Sequence, residues 1–175
     1  SNPDWAEGPA LLTAEAAQIS VAILPLLAGD VQVTGLRLIR PRLDLQIYAE
    51  GRRNWDMGGA AQGGGARIGI DKATIADGAI RLRDARVGRD MALTALDAEL
   101  SMADMAGPLS LRATGVLNGL PASARIALGP MGAQGGGAAR EIDIQLTLSD
   151  AEASWTGIAA PGDAPTLRGT LAATA

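Results

Sequence analysis

The chain of 175 residues is long enough for one domain with a sizeable core, and 47% of its residues are hydrophobic. Only 2% are aromatic, so Ala, Leu, Ile and Val must supply most of the packing. The net charge is −4 with basic residues spread along the chain, which argues against nucleic-acid binding. The absence of Cys and His excludes disulfides, Cys- or His-based catalytic groups and the common zinc sites.

The N-terminal part combines weak helix and strand signals. Residues 9–17 are compatible with a short helix or an extended segment, and Ile19, Val21 and Ile23 alternate as in a strand. The segment Pro25-Leu26-Leu27-Ala28-Gly29 predicts one helical turn, with proline at its first position and glycine after its end. The apolar run that contains this segment is about half as long as a transmembrane helix.

Strict alternation of aliphatic and polar residues dominates the rest of the chain. This pattern predicts strands of a sheet with one apolar and one polar face, and about ten strands are expected. The residues predicted to line the apolar face are Leu43, Leu45, Ile47, Ile80, Leu82, Leu109, Leu111, Ile142, Ile144, Leu146 and Leu148.

The alternation changes phase at several places. Val33 gives way to Leu36 after Gly35, and Ile70 gives way to Ala73. Because a slip of one residue turns every later side chain to the other face, bulges are expected there. The fold prediction is therefore mainly β: a curved antiparallel sheet or groove with about ten strands, bulges and one or two short helices.

Two Gly/Ala-rich stretches, residues 58–66 and 132–139, predict flexible surface loops. They divide the chain into three parts that are expected to share one sheet, so residues 1–175 are interpreted as a single β-rich domain. Hairpin turns are predicted at Ala76-Asp77-Gly78 and at Asn118-Gly119-Leu120-Pro121.

No set of residues predicts catalysis, and no cofactor or metal site is predicted. The carboxylates fall on the polar phase of strands or at their ends, where no spacing selects a catalytic pair. A carboxylate-dependent hydrolase would require two of them to meet in a cleft. Lys72, the only lysine, is interpreted as a solvated surface residue.

The segment Asn54-Trp55-Asp56, which follows Gly51-Arg52-Arg53, allows two interpretations. The tryptophan could stack on a ligand beside a basic pair, or it could close one end of the sheet while Asn54 caps a turn. The structural interpretation is preferred.

Several of these segments, in this order, resemble the N-terminal domain of the AsmA family over about residues 2–130. They are Asn2-Pro3-Asp4-Trp5 leading to Gly8-Pro9, the turn at 25–29, the strand pair joined by Pro41, Gly51 with Asn54-Trp55, and Ile75–Ile80 with Asp84.

The resemblance implies a non-enzymatic periplasmic segment, tethered to the inner membrane by an N-terminal helix that this fragment lacks. It also implies membership of the AsmA/TamB-like superfamily of bridge-type lipid-transfer proteins. The expected role is to shield phospholipid acyl chains in an aliphatic β-groove, for lipid transport and outer-membrane assembly. The expected partners are acyl chains, the rest of the full-length chain and outer-membrane assembly proteins. The alternative is a structural assembly module that binds such proteins through a strand edge or the apolar face.

Overall fold

The computed structural model describes residues 10–23, 33–56, 71–102, 107–132, 139–160 and 166–174. These residues form one open, curved, mixed sheet of 11 strands with almost no helix. The strands are β1 (Leu12–Thr13), β2 (Ala16–Val21), β3 (Val33–Ile39), β4 (Arg42–Ile47), β5 (Lys72–Asp84), β6 (Arg89–Met102), β7 (Leu109–Leu117), β8 (Leu120–Leu128), β9 (Arg140–Leu148), β10 (Ala151–Ala160) and β11 (Thr166–Thr174).

The strands from β5 to β11 form an antiparallel meander in which each strand pairs with the next one along the chain. The turn between β7 and β8 is tight because Asn118 and Gly119 both have positive φ, at 50° and 89°. Two such residues in succession are typical of the type I′ turn, which matches the twist of antiparallel strands. The hairpin predicted at this turn is confirmed.

The N-terminal part adds parallel pairings to the antiparallel sheet that was expected, so the sheet is mixed. Both β3 and β4 pair with β5 in parallel, and β2 and β1 pair with them in antiparallel orientation. Parallel neighbours need a long connection, and residues 48–71 connect β4 to β5. Residues 12–21 are thus extended along the edge of the sheet, so the extended alternative for residues 9–17 is the one observed where the structure describes them.

A line of irregularities crosses three neighbouring strands at one level. Arg40, between β3 and β4, has a φ of 47°, Asp77 in β5 one of 52°, and Ala95 in β6 one of 47°. The register of β5 against β6 shifts on both sides of Gly78. Bulges bend strands and increase their twist, so this line is a bend in the sheet. The hairpin predicted at 76–78 is wrong, because β5 continues through these residues as a bulge.

Gly78 is buried at this bend and has no room for a side chain. A Cβ there would lie 2.7 Å from Cγ2 of Ile75 and 3.3 Å from Cγ of Pro41. The phase change predicted near Gly35 is also confirmed, because the pairing of β2 with β3 shifts register between Ser20 and Val21. The predicted helical turn at 25–29, the loop at 58–66 and most of the loop at 132–139 lie outside the described residues.

Within the described ranges the sheet has no covering layer. Contacts between strands join neighbours in the sheet, and Leu96, at 6% exposure, is the one large hydrophobic side chain that is buried among the residues described. The apolar side of the sheet is therefore largely open.

Candidate functional site

The strand register brings all the predicted apolar residues to one side of the sheet. Leu43 pairs with Ile80 and Leu45 pairs with Leu82 across β4 and β5. The same side continues through β6, whose Leu93 pairs with Ile80 and with Leu117. We call this side the aliphatic face.

The C-terminal strands extend the aliphatic face through continuous cross-strand rows. One row runs from Leu111 through Ile126 to Ile144, and the next row runs from Leu109 through Leu128 to Ile142. Leu146, Leu148 and Ile47 occupy the same phase of their strands. Whether lipid contacts these residues stays a prediction.

The sequence missed part of this face in β6. Leu93 and Leu96 fall on opposite phases of a simple alternation, yet both contribute to the aliphatic face. The extra residue in the bulge at Ala95 restores the phase, since its φ of 47° turns the strand. No glycine marks this position, so the sequence carries no strong local signal for it.

A cavity of about 660 Å³ lies on the aliphatic face between β6 and β11. Leucines from β6, β7 and β9 form part of its lining, including Leu93, Leu117 and Leu146. Rows of small residues form the rest: Ala113 pairs with Ala124, and Gly115 pairs with Ala122. Small-molecule sites commonly have volumes of about 300–1,000 Å³, so the cavity is large enough for apolar ligand groups.

Large side chains on this face remain in contact with solvent. Leu146 is 47% exposed and Leu148 is 36% exposed, although their strand, β9, is paired on both sides. Leu171 in the edge strand β11 is 71% exposed. Contiguous exposed apolar surface in a protein marks a site of interaction with a ligand, a membrane or another chain.

Trp155 is the aromatic residue of the aliphatic face in β10. It pairs with Ile144 on one side and with Leu171 on the other. A Cβ added at Gly157 would lie 2.7 Å from its Cζ2, and one at Gly169 would lie 2.6 Å away. The indole therefore covers a pair of glycines and fills the space that their missing side chains leave.

Asn54 is a structural residue beside β4. Its side chain is 1% exposed, its Oδ1 accepts the N–H of Gln46 at 2.9 Å, and its Nδ2 donates to the carbonyl of Asp44 at 2.7 Å. Its own backbone N–H donates to the carbonyl of Gln46 at 3.0 Å. Asn54 thus forms hydrogen bonds with backbone groups at the edge of β4, as a neighbouring strand would. This role differs from the turn cap that was expected.

Trp55, next to this asparagine, is half-buried and has a basic neighbour. The guanidinium of Arg53 lies 5.9 Å from the centroid of the indole ring, within the range of a cation–π contact. The indole face that a ligand would stack on is thus shared with an arginine of the same segment. The structural interpretation of this motif is the better supported of the two.

Ion pairs organise the opposite, polar side of the sheet and its ends. Arg83 pairs with Asp44 at 2.9 Å, Arg81 pairs with Asp90, and Lys72 pairs with Glu99 at 3.2 Å. The ion pair between Lys72 and Glu99 is exposed, which agrees with the interpretation of Lys72 as a surface residue.

Among the described residues, each carboxylate with a clearly shifted pKa has a lowered pKa, which favours its charged form. Hydrogen bonds from Arg86 hold the pKa of Asp84 below its ordinary value, and those from Arg81 do the same for Asp90. The pKa of Glu15 is lowered in the same way by Arg40. A general acid needs the opposite shift. Among the described residues, no group of three or more His, Cys, Asp or Glu could hold a metal ion.

These features define a β-sheet protein with an open surface for apolar groups. The AsmA family model matches residues 1–120, which include the strands from β1 to β7. The chain belongs to the AsmA family. Searches of curated proteins and of solved structures found no match. In the described part of the chain, no helix combines the length and the apolar character needed to cross a membrane.

Proposed function

We propose that this chain is a non-enzymatic periplasmic segment of an AsmA-family protein whose aliphatic face shields phospholipid acyl chains. The role would be phospholipid transport and maintenance of the outer membrane. The observation that carries the proposal is the continuous aliphatic face, with a cavity of about 660 Å³ and no covering layer among the described residues. Membership of the AsmA family supports the periplasmic location, and the tether to the inner membrane is part of the proposal.

The energetics favour apolar ligands over an empty face. Transfer of one methylene group from water to an apolar surface contributes about 0.8 kcal/mol. Leu146 and Leu148 would lose solvent contact at the same time as the ligand does. A lining of Leu, Ala and Gly makes few directional contacts, so an acyl chain could slide along it without breaking hydrogen bonds.

Native mass spectrometry of the protein purified from a Gram-negative host tests the proposal. The wild-type protein is expected to carry phospholipid that Leu146→Arg loses, because the substitution places a charge on the aliphatic face. Thr156→Arg is the matched control, since it adds the same charge on the exposed polar side of the neighbouring strand β10. Lipid that both variants retain, or that both lose, would contradict the proposed site.

Trp155 provides a second, direct readout. In a variant with Trp5→Phe and Trp55→Phe, the remaining fluorescence comes from the indole on the aliphatic face. Phospholipids with brominated acyl chains are expected to quench it, and Leu146→Arg is expected to reduce the quenching. Equal emission with brominated and ordinary lipid would show that the chains do not reach this face.

A second candidate function rests on the edge strand β11. Within the described sheet β11 pairs only with β10, so backbone groups along its outer side are available for another strand. A partner protein could add a strand there. A photo-crosslinker in place of Thr170 would capture such a partner, whereas one in place of Leu146 would capture lipid. This candidate would be favoured if the purified protein carries no lipid and if crosslinked protein adducts form from position 170 but not from position 146.

A further inference from the structure

Two arginines lie directly opposite each other on the polar side of the sheet. Arg112 of β7 is the register partner of Arg125 of β8, and both side chains are exposed. Within the described part of the chain neither of them forms an ion pair with a carboxylate. Side chains directly opposite in an antiparallel pair are close neighbours, and like charges there destabilise the sheet.

The acidic residues near this pair already have other partners. Glu99, the register partner of Arg112 in β6, is held by Lys72 at 3.2 Å. Asp97, one row away, accepts the backbone N–H of Asp77 at 3.1 Å. Neither carboxylate forms an ion pair with Arg112 or Arg125.

The amide on the other side of the pair is engaged as well. Gln145 of β9, the register partner of Arg125, donates to Asp143 at 3.3 Å. The next row of the same face carries hydroxyl groups, because Thr114 pairs with Ser123. The nearest groups toward β8 and β9 are thus hydrogen-bonding, and the carboxylate of Asp143 lies beyond Gln145.

Two other arginines of this side do hold carboxylates, unlike Arg112 and Arg125. Arg81 and Arg83 of β5 each hold a carboxylate of a neighbouring strand. A depression of about 360 Å³ on the polar side reaches Arg112 and Thr114, and Asp97 and Glu99 also line it. Two arginines that lie opposite each other beside hydroxyl groups, without a carboxylate partner among the described residues, have the properties of a site for a small anion.

We propose that Arg112 and Arg125 together bind a phosphate group. The planar fork of a guanidinium donates two parallel hydrogen bonds to phosphate oxygens, and two such forks from adjacent strands can grip one group. The group could belong to a soluble phosphate or to a phospholipid headgroup at a membrane surface. The site lies on the opposite side of the sheet from the aliphatic face, so it does not depend on the proposed acyl-chain binding.

Calorimetric titration with inorganic phosphate, at constant ionic strength maintained with chloride, tests the first source. Arg112→Gln and Arg125→Gln are each expected to weaken binding by at least about tenfold, since a hydrogen bond to a charged group is lost in each case. Arg37→Gln is the matched control, because Arg37 lies on the same side with Gln18 and Thr74 as its register partners. Its affinity for phosphate is expected to equal that of the wild type.

Vesicle flotation tests the second source. Vesicles of phosphatidylglycerol are expected to bind the wild type and the Arg37→Gln variant but to release Arg112→Gln and Arg125→Gln. Binding to these vesicles without binding to inorganic phosphate would assign the group to a headgroup. The proposal is overturned if neither ligand binds, or if both site variants bind as the wild type does.

A third variant separates loss of the site from loss of the fold. Arg125→Glu places a carboxylate opposite Arg112 with Gln145 as its other register partner, so the melting temperature is expected to rise as phosphate binding disappears. Phosphate affinity that survives in this folded variant would also overturn the proposal.

Discussion

The replacement Asn54→Ala tests how the edge of β4 is held. The substitution removes two side-chain hydrogen bonds, with lengths of 2.9 Å to Gln46 and 2.7 Å to Asp44. It leaves one backbone N–H and one carbonyl without partners at a site where the asparagine is 1% exposed. An unsatisfied buried polar group costs about 1–3 kcal/mol, so we expect the two groups together to cost about 2–6 kcal/mol. The total stability of a domain is commonly about 5–15 kcal/mol.

Urea unfolding followed by circular dichroism measures this loss as a lower transition midpoint. Asn54→Asp separates the two bonds, because a carboxylate can accept from Gln46 but cannot donate to the carbonyl of Asp44. It is expected to be destabilised as well. Gln145→Ala, an exposed amide in β9, is the control and should change stability by less than about 0.5 kcal/mol. A similarly small change for Asn54→Ala would refute the reasoning.

Three further changes test the bend and the ion pairs. Gly78→Ala is expected to cost about 1–3 kcal/mol through overpacking, because its Cβ would lie 2.7 Å from Ile75; a wild-type melting temperature would count against this. Ala95→Gly is expected to stabilise by about 0.5–1 kcal/mol, since a φ of 47° disfavours alanine; a lower urea midpoint would contradict it. Arg86 lowers the pKa of Asp84, so their pair stabilises the fold fully above about pH 4 and is lost as the pH falls through the lowered pKa. Asp84→Asn should flatten the acid side of the stability profile, and an unchanged acid side would exclude this contribution.

The elements that the sequence predicted well are those with local signals. The alternation of β9 and the turn at Asn118-Gly119 each depend on a few consecutive residues, and both were correct. The family motifs also lie in short segments, and the match over residues 1–120 agrees with them.

The elements that it missed depend on neighbours distant in the chain. The parallel pairings of β3 and β4 with β5 require a break at Arg40-Pro41 that matches the bulge at Asp77. The role of Asn54 depends on the position of β4, which ends seven residues earlier. Local alternation describes which way a side chain points along one strand, but it does not describe which strand lies beside it.

The sequence by itself determined that one side of the sheet is aliphatic and that chemistry based on His or Cys is absent. Both follow from residue identities and from the period of two in a strand. Only the tertiary structure decided that the described part of the chain leaves this side uncovered and that Ala and Gly of neighbouring strands align beneath a cavity. The cavity depends on cross-strand register, which turns and bulges set between residues far apart in the sequence.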